Sequence, residues 1–207
     1  MKETIIILIF ISIVLVFSSV HKSEVIFVES FTDENSYLVR NLPDKQQASD
    51  LLGKIKDNLK KTIKYIIKKI EQVENKPISS RNYKDEKYLE MKNYIYTIDN
   101  KFDAIVFSET SANSSFTSYS INKGEEIVFC LRSKEDSSLH ELNLIMYVAI
   151  HEIAHVGCPE IGHTPLFHRI NKFILKNAIK AKTYMFEDYS LKPVTYCGMN
   201  LTSTILN

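Results

Sequence analysis

The chain has 207 residues, of which 44% are hydrophobic and 25% are charged, as expected for one compact domain with an appendage. Its 26 basic and 25 acidic residues give a formal net charge of +1, so the overall charge does not indicate a nucleic-acid partner. The three cysteines, Cys130, Cys158 and Cys197, are too few and too widely spaced for a disulfide framework, although they leave a single disulfide open.

The first segment of the chain is apolar, because residues 4–20 carry no charged side chain. As a helix they would span roughly 25 Å, slightly less than a hydrocarbon core of about 30 Å. We therefore expect residues 1–22 to form a membrane anchor or a signal segment, with the anchor favoured, and residues 23–207 to form the folded domain. Such an anchor would make the chain a single-pass membrane protein. Cleavage of residues 1–18 would instead make it a secreted protein.

The first half of the domain alternates between extended and helical patterns. Residues 24–28 and 37–42 are predicted to be extended, and residues 85–96 and 104–107 predict a short helix and a strand. Between them, apolar residues recur at spacings of three and four, which predicts a long helix over residues 44–73. Its opposite face is rich in lysine, which is compatible with a solvated surface or with a basic face for anionic lipid or nucleic acid.

The second half of the domain has clearer boundary signals. Residues 116–121 and 126–131 predict a β-hairpin whose turn contains Gly124. Ser138, with Glu141 three residues later, resembles a capping box and predicts a helix that ends at Gly157. Thr164 followed by a proline predicts the start of another helix. A short strand is expected over residues 193–196 in an otherwise irregular tail.

The clearest chemical signal is the string His151-Glu152-Ile153-Ala154-His155. Residues four apart share one face of a helix, so both imidazoles can bind one zinc ion. Glu152 follows the first histidine and lies near the metal without having to bind it, which suits a general base for the attacking water. The motif therefore predicts Zn²⁺ as the cofactor and Glu152 as the catalytic residue.

A catalytic zinc ion usually has three protein ligands, so a third is needed. His163 is the first choice, because the short turn over residues 158–162 can return it to the helix. Cys158 is close enough in sequence to act as a fourth ligand, which would indicate a structural rather than a catalytic site. The remaining alternatives for the third ligand are downstream acidic or imidazole side chains: Glu160, His168, Glu187 and Asp188.

The stretch over residues 151–167 resembles the zinc site of the WLM and SprT-like metallopeptidases, a minigluzincin-type site. The resemblance rests on the HExxH string and on a second pattern, Gly162-His163-x-Pro165-x-Phe167. It implies zinc ligands at His151, His155 and His163, a catalytic Glu152, and a Phe167 that packs at the start of the next helix. The chain is also similar to uncharacterised, membrane-anchored metallopeptidases of large DNA viruses. The likeness covers about residues 115–180.

Together these signals predict an α+β fold: an N-terminal transmembrane helix, then a small zincin-like domain with long helices, a short mixed sheet with a hairpin, and an HExxH helix. The expected function is zinc-dependent hydrolysis of peptide bonds in a protein or peptide substrate. The alternative is a membrane-anchored, non-catalytic virion protein that keeps zinc for stability. Nucleic acid is not an expected partner, and the oligomeric state stays open. Tyr196, His168 and Arg169 are the candidates for stabilising the transition state.

Overall fold

A computed structural model describes residues 24–206 of the chain. These residues form four α-helices, seven strands and a short 3₁₀ helix over Ile78–Ser80. The helices are α1 (Lys45–Glu74), α2 (Tyr83–Phe102), α3 (Leu142–Gly157) and α4 (Pro165–Lys180). The strands are β1 (Val25–Glu29), β2 (Ser36–Arg40), β3 (Val106–Glu109), β4 (Tyr119–Ile121), β5 (Glu126–Phe129), β6 (Val194–Tyr196) and β7 (Met199–Leu201).

Five strands form one mixed sheet in the order β1-β2-β3-β5-β4. Strand β2 pairs in parallel with β3, and β3 in parallel with β5, whereas β1 and β4 are antiparallel edge strands. The predicted hairpin is confirmed as the antiparallel pair β4–β5. Gly124 in its turn has a φ of 103°, and a Cβ there would lie 2.8 Å from Val156, so this glycine lets the turn reach α3.

The long predicted helix is confirmed as α1, and its apolar stripe forms the centre of the core. Ile55, Leu59, Ile63 and Ile66 are fully buried where α1 packs against the other three helices and one face of the sheet. On the lysine side, the ammonium groups of Lys60 and Lys64 each lie 2.8 Å from an aspartate carboxylate at the C-terminal end of α2. These exposed ion pairs favour the solvated-surface interpretation of that face.

The predicted start of α3 is wrong, whereas its predicted end is confirmed. Ser138 binds the Asp136 carboxylate through both its N–H and its hydroxyl, so it closes a turn instead of capping a helix. The helix ends at Gly157, where close packing requires a glycine. A Cβ at Gly157 would lie 2.8 Å from Ile98 and 2.9 Å from the Tyr94 carbonyl oxygen, so glycine lets α3 approach α2.

Three further features were not predicted from the sequence. Helix α2 is longer than predicted and begins with a capping box formed by Asn82 and Asp85. Strand β7 was not predicted; it pairs with β6 across the two-residue turn Cys197–Gly198, in which both residues have positive φ. A disulfide joins Cys130, just after β5, to Cys197 in that turn. The sequence had left this bond open.

The membrane part of the predicted fold class needs correction. Within residues 24–206, no helix is both long and apolar enough to cross a membrane. The 30-residue helix α1 has the length, but it carries lysines along one face and buries its apolar stripe in the core. The predicted anchor over residues 1–22, including its apolar run 4–20, lies outside the described residues. Residues 24–206 therefore form an α+β fold, and the predicted single-pass anchor finds no support among them.

Candidate metal centre

Three histidines meet where α3 ends and α4 begins. His151 and His155 lie one turn apart on α3, with ring centroids 5.0 Å apart. His163, in the connecting loop, places its Nε2 atom 2.9 Å from Nε2 of His151. One ring nitrogen from each histidine lies within 4.8 Å of the other two. This histidine cluster could bind a metal ion.

The loop that carries His163 is held at both sides. At its end, the Thr164 hydroxyl caps α4 by accepting the Phe167 N–H at 3.2 Å. From the β4–β5 turn, the Lys123 ammonium donates to the carbonyl oxygens of Cys158 at 2.6 Å and Glu160 at 2.5 Å. These bonds fix the turn that returns His163 to the HExxH helix.

An aromatic side chain packs against all three histidines of the cluster. Phe167 is fully buried in the first turn of α4, the place that the sequence resemblance implied for it. Its ring stacks on His155 at a centroid distance of 4.1 Å and contacts the rings of His151 and His163 at 4.9 and 5.0 Å. This packing limits the rotation of the three imidazoles and so preorganises their nitrogens.

The imidazoles are electrically suited to a cation. Burial, followed by repulsion from the neighbouring histidines, lowers the pKa of His151 to about 3. Burial, followed by repulsion from His163 and Lys123, lowers the pKa of His155 to about 4. Both rings are therefore neutral at pH 7 and keep a lone pair for a metal. The buried amide of Asn171 lies 3.5 Å from Nδ1 of His151, on the far side from Nε2, where it orients the ring.

Glu152 lies beside the cluster and is 5% exposed. Burial raises the pKa of its carboxyl group to about 7. It lines a cleft of about 750 Å³ together with the three histidines. The other walls come from β4, from the β4–β5 turn, from the His163 loop and from the β6–β7 hairpin. The cleft is thus large enough for part of a peptide, and a carboxyl group that can gain or lose a proton near pH 7 lies in it.

The alternative ligands lie outside the histidine cluster. Cys158 is 1% exposed and belongs to the hydrophobic core. The ring of His168 lies 6.2 Å from that of His163, and the Glu187 carboxylate accepts a hydrogen bond from Asn143. Among residues 24–206, the group that could hold an ion contains only His151, His155 and His163. These are the predicted ligands, and metal binding by them stays a prediction.

Sequence reasoning missed two residues that shape the site. Asn171 follows Phe167 by four residues on the buried face of α4, so a polar residue in that apolar stripe was an available signal. Lys123 had no such signal, because a lysine in a hairpin turn is ordinary and its partners lie more than 30 residues away.

The raised pKa of Glu152 gives a testable stability difference in the metal-free protein. The unfolded carboxyl ionises near its ordinary pKa of 4.5, whereas the folded one keeps its proton up to about pH 7. Between these values the folded state binds more protons, so this group destabilises the fold as pH rises. We expect chelator-treated Glu152→Gln protein to be more stable than wild type at pH 8 and equal to it near pH 4.5 in urea unfolding. All histidines are the same in both proteins, so a pH-independent difference would contradict the expected burial of the charge.

The fold and the site together define an α+β protein whose HExxH helix carries a histidine cluster that could bind a metal ion. No family model matches the chain. The chain is 36% identical over 185 residues to "Uncharacterized protein R325" of Acanthamoeba polyphaga mimivirus, covering 89% of this chain and 86% of that protein. It therefore belongs to the same family as this mimivirus protein.

Shorter matches connect it to other viral proteins. It is 35% identical over 81 residues to "Uncharacterized protein 136R" of Invertebrate iridescent virus 6, covering 38% of this chain and 45% of that protein. It is 35% identical over 82 residues to "Uncharacterized protein 042R" of Invertebrate iridescent virus 3, covering 40% and 51%. The predicted likeness to viral proteins is thus confirmed, and none of these names states an activity.

Among solved structures, the chain is similar to the one titled "Crystal structure of Wss1 mutant from saccharomyces cerevisiae". That match has 14% identity and a TM-score of 0.35, and it covers 51% of this chain and 87% of that chain. A likeness of this size supports no conclusion about fold or function.

Proposed function

We propose that the protein is a zinc-dependent peptidase. The observation that carries the proposal is the position of Glu152, a buried carboxyl beside three imidazoles that face the same cleft. Two of these imidazoles are neutral at pH 7 because of their lowered pKa values, and the set is typical of a zinc site that keeps one position open. The resemblance of residues 151–167 to WLM and SprT-like metallopeptidases supports the same assignment.

The residues divide the chemistry as follows. When bound by His151, His155 and His163, a zinc ion would supply a Lewis acid that activates water and polarises the scissile carbonyl group. Glu152 accepts a proton from the attacking water and later delivers it to the leaving amine. A pKa near 7 in the metal-free cleft suits a group that must both take up and release a proton.

The order of the strands indicates which of them an extended substrate can pair with. Strand β5 lies between β3 and β4, so its backbone groups are already paired. Strand β4 is the edge strand, and Tyr119 and Ser120 of that strand line the cleft. We therefore infer that an extended peptide pairs with the free edge of β4 and presents one peptide bond to Glu152.

We favour a catalytic zinc site over a purely structural one. A structural site usually fills all four positions, often with thiolates, and Cys158 was the candidate for closing the site. Its thiol lies in the hydrophobic core instead of in the histidine cluster. In addition, a purely structural site gives no reason to bury the carboxyl group of Glu152, because that burial disfavours its charged form.

Zinc loading of the purified full-length protein tests the proposal. We expect the chelator-treated chain to bind one zinc ion per molecule and to cleave an unfolded protein such as casein only after zinc is restored. His163→Ala should lose both properties, because it removes one of three nitrogen ligands. His168→Ala is the matched control and should keep the zinc stoichiometry of wild type, since its ring lies outside the cluster. Zinc binding without cleavage would instead indicate a structural site.

A further inference from the structure

Two hydroxyl side chains, those of Ser118 and Tyr196, also line the cleft that contains the histidine cluster. Tyr196, at the end of β6, is 1% exposed, and its hydroxyl oxygen lies 2.7 Å from Oγ of Ser118, just before β4. Both residues line the cleft together with Glu152. The zinc ligands and the general base do not account for this hydroxyl pair.

The bond between the two hydroxyl groups leaves one of their hydrogens for a further hydrogen bond. The Ser118 oxygen already accepts the backbone N–H of Cys130 at 3.1 Å. Two hydroxyl groups carry two hydrogens, and the bond between Ser118 and Tyr196 uses one of them. Whichever hydroxyl donates within the pair, the other keeps an O–H that can donate to a further acceptor in the cleft.

The phenol keeps its proton throughout the working pH range. Burial raises the pKa of Tyr196, and the charge of Glu152 raises it further. The phenol and the general base Glu152 line the same cleft. Tyr196 therefore acts as a neutral hydrogen-bond donor near the reacting groups and does not act as an acid.

The pair is held rigidly. The residue after Tyr196 is Cys197, whose disulfide leads to Cys130, and Cys130 donates its N–H to Ser118. These bonds close a ring of contacts around the pair. The ring of His140 packs on that of Tyr196 at a centroid distance of 5.0 Å. A donor fixed in this way needs no reorganisation when charge develops beside it.

We propose that the Ser118–Tyr196 pair donates the hydrogen bond that stabilises the oxyanion formed on the scissile carbonyl, an inference that rests on the proposed peptidase function. When the water oxygen bonds to the carbonyl carbon, the π electrons of the C=O bond move to its oxygen. The pair donates a hydrogen bond to that oxygen and transfers no proton. The carbonyl bond then re-forms, the C–N bond breaks, and the amine takes its proton from Glu152.

The other two candidates from the sequence are less well placed. His168 and Arg169 lie on the exposed side of α4 and do not line the cleft. The Arg169 guanidinium lies 3.8 Å from the Glu90 carboxylate of α2, and both side chains are exposed.

Kinetics of Tyr196→Phe, Ser118→Ala and the double variant test the inference in the full-length, zinc-loaded protein. Loss of one oxyanion donor typically lowers kcat by about 10²–10³-fold, and we expect this for Tyr196→Phe with KM and zinc content unchanged. Ser118→Ala should have a smaller effect, because the phenol remains. The double variant should be within a few fold of Tyr196→Phe, because the two hydroxyls act as one unit.

Inhibitor binding gives a readout that does not depend on turnover. A phosphinic peptide mimics the tetrahedral oxyanion, so Tyr196→Phe should weaken its binding by about the factor lost in kcat/KM. Binding of the product peptide should not change. Tyr88→Phe is the matched control, because it removes a hydroxyl that bonds Asn177 at 2.6 Å between α2 and α4, outside the cleft.

The possible outcomes separate this inference from the proposed function. If wild type cleaves peptides and the double variant keeps its kcat, the donor role of the pair is wrong and the peptidase assignment stands. If Tyr196→Phe loses zinc, or if its binding of the product peptide weakens as much as its binding of the phosphinic peptide, Tyr196 has a structural role. Either result would also overturn the inference. If wild type neither cleaves peptides nor binds the phosphinic peptide, the peptidase proposal itself fails, and the donor role fails with it.

Discussion

Glu152→Gln is expected to lower kcat for peptide hydrolysis by about 10²–10⁴-fold, the usual contribution of a positioned general base. The amide keeps the shape of the carboxyl group but cannot accept a proton from water. Zinc affinity should change little, because the three imidazole ligands remain in place on α3 and its following loop. The measurement is steady-state cleavage of a quenched peptide, with zinc content determined on the same samples.

Glu187→Gln is the matched control for this variant. The Glu187 carboxylate is exposed and accepts a hydrogen bond from Asn143, so its loss should leave kcat and zinc content at wild-type values. If Glu152→Gln kept wild-type activity, the general base would have to be another residue. If it lost zinc together with activity, Glu152 would belong to the metal-binding set and the proposed division of roles would be wrong.

Local signals in the sequence predicted the elements that carry the candidate site. The spacing of His151 and His155, the Thr164 cap and the Gly124 turn each act within a few residues, so their consequences can be read from a short window. His163 could be placed because the intervening loop is short. In each case the backbone geometry follows from neighbouring residues, and the fold confirms the predicted helices and hairpin.

Features that depend on distant residues could not be predicted in this way. The start of α3 was placed wrongly because the Asp136 carboxylate binds the N–H and the hydroxyl of Ser138, so Ser138 does not cap the helix. The bonds of Lys123 to the His163 loop and the Ser118–Tyr196 pair join residues more than 30 positions apart. Such contacts arise from sheet order and helix packing, which periodicity does not encode. Strand β7 was also missed, although the Cys197–Gly198 turn was a usable hairpin signal.

A buried ion pair that the sequence did not reveal gives the largest expected effect on stability. Arg132, which follows β5, is 3% exposed and donates from Nε to the Glu109 carboxylate at 2.7 Å. Its Nη1 donates to Asp44, the residue that precedes α1, at 2.6 Å. The arginine therefore ties two central strands of the sheet to the start of the longest helix in the described chain.

Arg132→Ala should lower the free energy of unfolding by about 3–5 kcal/mol, because it leaves the buried Glu109 carboxylate without its cation. Lys60→Ala is the control, since it breaks an exposed ion pair with Asp103 and should cost less than about 1 kcal/mol. Urea unfolding of both variants at pH 7 measures the difference.

The stability lost in Arg132→Ala should also depend on pH. The Arg132 hydrogen bond lowers the pKa of Asp44, so this contribution is present above the ordinary pKa of 3.8 and is lost as pH falls through the lowered value. Equal losses in the two variants would mean that Glu109 tolerates burial without Arg132, and the ion pair would then contribute little to holding the sheet against α1.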